Sequence, residues 1–285
     1  MTTKRYNPLN DFLFLKVMGE KGDEEQLLAF LNAVLGRTGD KKIETVEILE
    51  DRIITPEFLG DKASVLDVRA RTEDGTRLNI EVQLRNVGDM DRRSLFYWSR
   101  EYTKQLKAGE DYIELPNVIA INIIDFDYKK TKNFHSCYHL WEDTDKDQLL
   151  TDALEIRFID MVKFRKMCNN IERGESFLEN PLHRWLTFFD KSSPNELVEE
   201  VVKMDMAIQK AHNRIDHVIQ DESALRAYEM REKAILDWNS AVGYHTRETA
   251  RETAREIARK MRAKNVSINE IIDYTGLTVK QIEDL

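Results

Sequence analysis

Cysteine is nearly missing from this 285-residue chain: only Cys137 and Cys168 occur, and neither has a CxxC partner. Neither a disulfide framework nor a cysteine-rich zinc site is supported. Long apolar runs are missing too. Nothing approaches the ~20 residues that a membrane-crossing helix needs, and the start MTTKRYNPLNDF has no apolar stretch of the signal-peptide kind. The expectation is a soluble, cytoplasmic protein with no membrane partner. Positive charge is not in excess either. A formal net charge of −9 argues against indiscriminate coating of nucleic acid, which is driven by phosphate neutralisation, but leaves room for a local basic groove.

What the chain does contain is a substantial apolar fraction, 41%, with 33% charged residues. Such a length and composition suit one or two folded domains. Residues 91–107, DRRSLFYWSREYTKQLK, carry five cations (Arg92, Arg93, Arg100, Lys104 and Lys107) against Asp91 and Glu101. YKKTK at 128–132 and KFRK at 163–166 add more.

The spacing of apolar residues in NDFLFLKVMG and DEEQLLAFLNAVLG predicts two short helices, the second closed by Gly36. KIETVEILE (42–50), 63–72 and 76–84 alternate as strands do. Residues 91–108 return to helical spacing through Leu95, Trp98, Tyr102 and Leu106. NVIAINIID (117–125) is nearly continuous apolar, as a central strand buried on both faces would be. FHSCYHLW and LEIRFIDMV supply two further strands. The fold class this order predicts is α/β, a mixed sheet flanked by helices. In HSCYH, His135, Cys137 and His139 share a strand face, but steps of ~6.6 Å along a flat strand are too long for one ion without a bend. A half-buried strand is the reading taken.

From about residue 175 the strand signal stops. ENPLHRWLTFF, ELVEEVVKMDMAIQKA and 215–241 read as helices. The domain expectation is therefore a core over 1–172, a helical module over 173–243, and a connector and tail over 244–285. RETARETAREIARK (247–260) is a four-residue repeat with Glu248 and Glu252 three residues before Arg251 and Arg255, as on a solvated helix. A DNA-contacting helix is the alternative. The tail SINEIIDYTGLTVKQIEDL has two capping boxes, Ser267 with Glu270 and Thr278 with Gln281, around a Thr275-Gly276 turn. This is a helix-turn-helix signature, yet its second helix offers Lys280 and Gln281 followed by Glu283 and Asp284. Protein contact or homo-oligomerisation is favoured over base reading.

One hairpin concentrates the chemistry. In LDVRARTEDGTRLNIEVQL, Asp67, Arg69 and Arg71 share one strand face, and Asn79, Glu81 and Gln83 share one face of the next. A three-residue loop of Glu73, Asp74 and Gly75, with Gly75 left-handed, pairs Thr72 with Thr76 and sets Asp67 opposite Glu81. A two-residue loop would match an apolar face to a polar one. Directly opposed residues have Cβ atoms ~4.5–5.5 Å apart, close enough for two carboxylates to share a cation. A hard, oxygen-seeking ion such as Mg²⁺ or Mn²⁺ suits them, with Gln83 placed to orient its water. The alternative is a solvated face whose acids pair with Arg69, Arg71 or Arg77.

Asp, a turn and Glu-x-Gln on paired strands resembles the PD-(D/E)xK nuclease superfamily with glutamine at the lysine position. NDFLFLKVMG, FLNAVLG, KASVLDVRARTEDGTRLNIEVQL, RRSLFYWSREYTKQLKAGEDYIEL, VIAINIIDF and LEIRFIDMVKF occur in the order shown by the Rpn family of recombination-promoting nucleases, also described as PD-(D/E)xK family transposases. The resemblance covers about residues 7–170 and implies a restriction-endonuclease-like core that cleaves DNA with a divalent metal. By position it makes Asp67 and Glu81 metal ligands and puts Gln83 at the lysine. Asp11 becomes a further candidate acid, although a helix-start residue favoured by the macrodipole is the plain alternative. Arg92, Arg93, Arg100 and Lys104 would grip the DNA backbone. Tyr97 and Tyr102 could join them, though helical spacing favours core positions. Glutamine brings no charge, so either the metal compensates or a cation such as Lys16, Lys62 or Arg69 does. Recombination of mobile elements or defence against foreign DNA is the implied use. The competing reading is a non-catalytic DNA-binding or assembly protein with a vestigial core.

Overall fold

The computed structural model describes residues 5–49, 67–106, 109, 111–170 and 175–285. Helices α1 (Asp11–Met18) and α2 (Glu25–Leu35) lead into a six-stranded sheet. Its strands are β1 (Val46–Ile48), β2 (Asp67–Thr72), β3 (Arg77–Gln83), β4 (Val118–Ile124), β5 (His135–Trp141) and β6 (Leu149–Asp160), with α3 (Met90–Thr103) between β3 and β4. The spatial order is β1-β2-β3-β4-β6-β5. β3–β4 and β4–β6 are parallel and the other pairs antiparallel. A parallel pair needs a crossover, and α3 supplies it.

The sheet positions the hairpin through its two faces. Val68, Ala70, Leu78, Ile80, Val82, Ile119, Ile121 and Ile123 pack on one side into a core with Phe12, Phe14 and Phe30 of α1 and α2. On the other side Ala120, Ile124, Ile156 and Phe158 form a smaller cluster with Met90 and Trp98 of α3. Every residue of β4 is buried, as its unbroken apolar sequence requires. Close packing of α1 on β2 depends on a missing side chain: a Cβ at Gly19 would lie 3.2 Å from Val68 Cγ2 and 2.6 Å from Leu15 Cδ1. The strand expected over 63–72 begins at Asp67 among the described residues, because 63–66 lie outside them. α3 departs from its expected face. Met90, Ser94 and Glu101 are buried, whereas Leu95 is 49% exposed.

Helices α4 (Met161–Asn170), α5 (Glu175–Glu179), α6 (Pro181–Phe189), α7 (Asn195–Met204) and α8 (Met206–Val218) follow. Trp185 and Phe189 of α6 complete the aromatic core, with Phe30 5.3 Å from Phe189 between centroids. ELVEEVVKMDMAIQKA is two helices rather than one. Asp205 ends α7 and its side chain accepts from the Ala207 and Ile208 amides, so one acid stops a helix and caps the next. Asp221 likewise accepts from the Ala224 amide at the start of α9 (Glu222–Ala263), interrupting the helix expected over 215–241.

The chain divides into two compact units, Met1–Glu232 and Lys233–Leu285. The second holds most of α9 with α10 (Ile268–Thr275) and α11 (Val279–Glu283). Both expected capping boxes form around left-handed Gly276. Ala258, Ile271, Leu277 and Ile282 make the unit's small core.

Candidate active site

The β2–β3 hairpin adopts the register expected from its pattern. Thr72 donates its amide to the Thr76 carbonyl at 3.1 Å, Gly75 has φ +88, and Asp67 pairs directly with Glu81. Leucine, isoleucine and valine on the opposite face fill the main core, which fixes that register. The two acids are consequently buried, 4% and 2% exposed, on the face covered by α3.

Each acid meets an arginine. Arg69 Nε donates to Asp67 Oδ2 at 2.9 Å and lies 3.4 Å from Glu101 Oε1 on α3. Arg93, also on α3, donates through Nε to Glu81 Oε1 at 2.8 Å, with its guanidinium 5.2 Å from the Tyr97 ring centre. Burial lifts the Glu81 carboxyl above the usual carboxylate range, although Arg93 pulls the other way. Burial works to lower Arg93, but the charge and hydrogen bond of Glu81 outweigh it and hold the guanidinium more firmly protonated than usual. Burial also raises the Tyr97 phenol; Arg93 opposes the shift, while Glu81 and Asp67 add to it. Among the described residues, Glu81 Oε2 is buried with no hydrogen-bond partner. An acceptor of that kind invites a cation or a donor from outside the chain.

Polar residues around the acids hold the site to α3 and β4. Asn122 on β4 is level with Glu81, and its amide donates to the Arg157 carbonyl at 3.0 Å. The Ser94 hydroxyl lies 2.9 Å from Asn122 Oδ1 and 2.7 Å from the Met90 carbonyl. Trp98 Nε1 donates to the Val118 carbonyl at 2.8 Å. The sequence does not single out Asn122 or Ser94, and it marks Trp98 only as part of a helical stripe; the one signal is the Asn122 amide inside the apolar run VIAINII.

The remaining predicted residues separate into groups. Gln83 lies half-buried on the same face, and its amide donates to the Arg85 carbonyl at 3.1 Å. Asp11 is held by Arg231 of α9, whose Nε lies 3.0 Å from both carboxylate oxygens. Arg85 links the two regions: burial lowers it first, Arg231 and Arg93 repel it, and Asp11 pulls it back. Arg92 and Arg100 are exposed on the outer side of α3, whereas Lys104 lies 3.4 Å from Glu101. Tyr102 stacks on Trp98 at 5.0 Å. Of the expected substitute cations, Arg69 is at the site and Lys62 lies outside the described residues. Lys16 acts on Asp221, whose carboxyl is lowered first by Ser223. In the two basic segments, Lys130 pairs with Asp91, Lys163 with Asp160, and Arg165 with Asp125 and Asp190, leaving Lys129, Lys132 and Lys166 exposed.

The family model of the PD-(D/E)XK nuclease family transposases matches residues 8–245. The chain belongs to that family. No curated protein and no solved structure matches it. Membership in the PD-(D/E)XK transposases identifies the sheet and its helices as a restriction-endonuclease-like fold carrying a nuclease domain, for which DNA is the implied substrate. Nucleases of this kind use divalent metals. The donor set fits such an ion, with two opposed carboxylates on rigid paired strands and a buried Glu81 oxygen that no protein group satisfies among the described residues. No helix among the described residues is long and apolar enough to cross a membrane.

Proposed function

We propose that the protein is a divalent-metal-dependent DNA endonuclease, with Mg²⁺ as its ordinary ion and Mn²⁺ as a substitute. The observation that carries this reading is the burial of Asp67 directly opposite Glu81, beneath a helix that presents Arg93 to the pair. Asp67 and Glu81 hold the ion, which when bound supplies an activated water and charge stabilisation at the phosphate. Gln83 orients the attacking water by hydrogen bonding, since its amide both donates and accepts. Arg93 supplies the positive charge that glutamine lacks. It is already fixed beside Glu81 and needs only a small side-chain movement to face a phosphate oxygen. Arg92 and Arg100, exposed on the same helix, hold the DNA backbone. Recombination of mobile elements or defence against foreign DNA is the proposed use, with self-association through the C-terminal helices.

A second reading has an observation of its own. Arg69 and Arg93 already neutralise the two acids in part, as in a vestigial core that binds DNA without cutting it. Supercoiled plasmid incubated with protein and Mg²⁺ or Mn²⁺ separates the two. The endonuclease reading expects nicking that Asp67→Ala and Glu81→Ala each abolish. Binding without nicking in either metal, or nicking equal in both variants, supports the vestigial core.

A further inference from the structure

We propose that Cys137, His139 and Glu155 form a second metal site, selective for Zn²⁺ or a similar borderline-soft ion, on the edge of the sheet formed by β5 and β6. A flat strand would hold positions 137 and 139 too far apart for one ion. The pairing of β5 with β6 is not regular: Tyr138 opposes Ile156, but Leu140 opposes Thr151, so the register shifts at His139. Such irregularities bend a strand and re-aim its side chains. Here Cys137 Sγ lies 3.8 Å from His139 Nδ1 and 3.9 Å from Nε2, while His139 Nε2 lies 3.5 Å from Glu155 Oε2. One ligand atom from each of the three residues falls within 4.8 Å of the other two.

The distances suit a tetrahedral ion. With bonds of about 2.3 Å to sulfur and about 2.0–2.1 Å to nitrogen and oxygen, ligand atoms sit about 3.6 Å apart for sulfur and nitrogen and about 3.4 Å for nitrogen and oxygen. The sulfur–nitrogen and nitrogen–oxygen separations exceed these by a few tenths of an ångström and the sulfur–oxygen pair lies within 4.8 Å, gaps that side-chain rotation closes. A thiolate, an imidazole and a carboxylate favour zinc over Mg²⁺, which takes oxygen ligands. Glu155 is oriented from behind: its Oε1 accepts from Arg157 Nε, and Arg157 Nη1 donates to the Val34 carbonyl at 3.0 Å. His135, the third residue on the strand face, belongs elsewhere, with its Nε2 3.3 Å from Arg157 Nη1. Cys137 is exposed, so an ion can enter and a fourth position faces solvent.

A thiol nucleophile is the other chemistry such a trio suggests. Although Cys137 has an open side, partial desolvation where it packs against β6, with the Glu155 carboxylate adding to it, pushes its thiol up to about 11, which works against a free thiolate. A divalent cation reverses that balance by neutralising both anionic ligands at once. The site stands apart from Asp67 and Glu81, since β4 lies between their β2–β3 hairpin and the β6–β5 edge.

Cobalt titration of the full-length protein tests the site, because Co²⁺ takes zinc ligands and reports a thiolate ligand through a near-ultraviolet charge-transfer band. The expected result is a one-equivalent band that one equivalent of Zn²⁺ removes. Cys137→Ser should abolish it, His139→Ala and Glu155→Gln should weaken binding at least about tenfold, and Cys168→Ser should leave it intact. Asp67→Ala and Glu81→Ala should also leave it intact, so the result is independent of the endonuclease reading. Absence of the band in the wild type, its survival in folded Cys137→Ser, or unchanged affinity in both His139→Ala and Glu155→Gln overturns the proposal.

Discussion

Glu81 lies in an environment where burial outweighs one adjacent guanidinium, and Arg93 therefore affects the candidate chemistry more than its place in a basic helix suggests. Arg93→Ala is expected to lower plasmid nicking by about 10²–10³-fold at unchanged DNA affinity, as loss of a fixed transition-state donor does. Arg93→Lys should recover part of it, since lysine restores charge but not the planar fork. Rates measured beside binding isotherms check both. Arg92→Ala should instead weaken binding at every sequence and flatten its salt dependence. Asp11 poses a different question, because Arg231 grips both of its oxygens. A double-mutant cycle on Asp11→Ala and Arg231→Ala, read by denaturant unfolding, is expected to give a coupling of about 1–3 kcal/mol. The opposition of Asp67 and Glu81 was legible because alternation and Gly75 are local signals. The partners Arg93 and Arg231 were not, since no periodicity says which arginine crosses 12 or 220 residues to reach an acid.

Among the elements, the hairpin turn and α6 make separate predictions. Gly75 holds a positive φ of +88, and Gly75→Ala is expected to cost about 1–2 kcal/mol, measurable by chemical denaturation. His183 of α6 is packed against Phe177, 4.6 Å between ring centres, with Phe134 and Phe164 nearby. Burial lowers its pKa, partly offset by the Phe177 carbonyl. A histidine kept neutral by folding binds protons more readily in the unfolded chain, so it stabilises above its ordinary value and loses that contribution as pH falls toward the folded value. Melting temperature should thus fall from pH 7.5 to pH 5 more steeply in the wild type than in His183→Leu; equal slopes would contradict the assignment. The capping boxes of α10 and α11 were readable from four residues each. The breaks at Asp205 and Asp221 were missed because apolar spacing continues across them, and only the side-chain caps show that the backbone leaves the helix.

For the whole molecule, the sheet order is the part least accessible to sequence. β4 pairs with β6 and skips β5, a non-local choice that local spacing does not encode. α9 begins in the first compact unit, where the Tyr228 hydroxyl accepts from the Asn7 amide at 3.0 Å and Arg231 holds Asp11. A chain ending at residue 221 loses both contacts and is expected to melt several degrees lower than one ending at residue 245. Apolar side chains on the second unit are exposed, Leu236 at 64% and Tyr274 at 78% among them. If these helices self-associate as proposed, sedimentation should show an oligomer for the full chain and a monomer for the chain ending at residue 245. The central claim concerns the ion between the two acids, and crystals grown with Mn²⁺ at a concentration that supports nicking test it most directly. The account predicts an anomalous peak bonded to both Asp67 and Glu81. An ordered site with both carboxylates still on Arg69 and Arg93 and no such peak would contradict it.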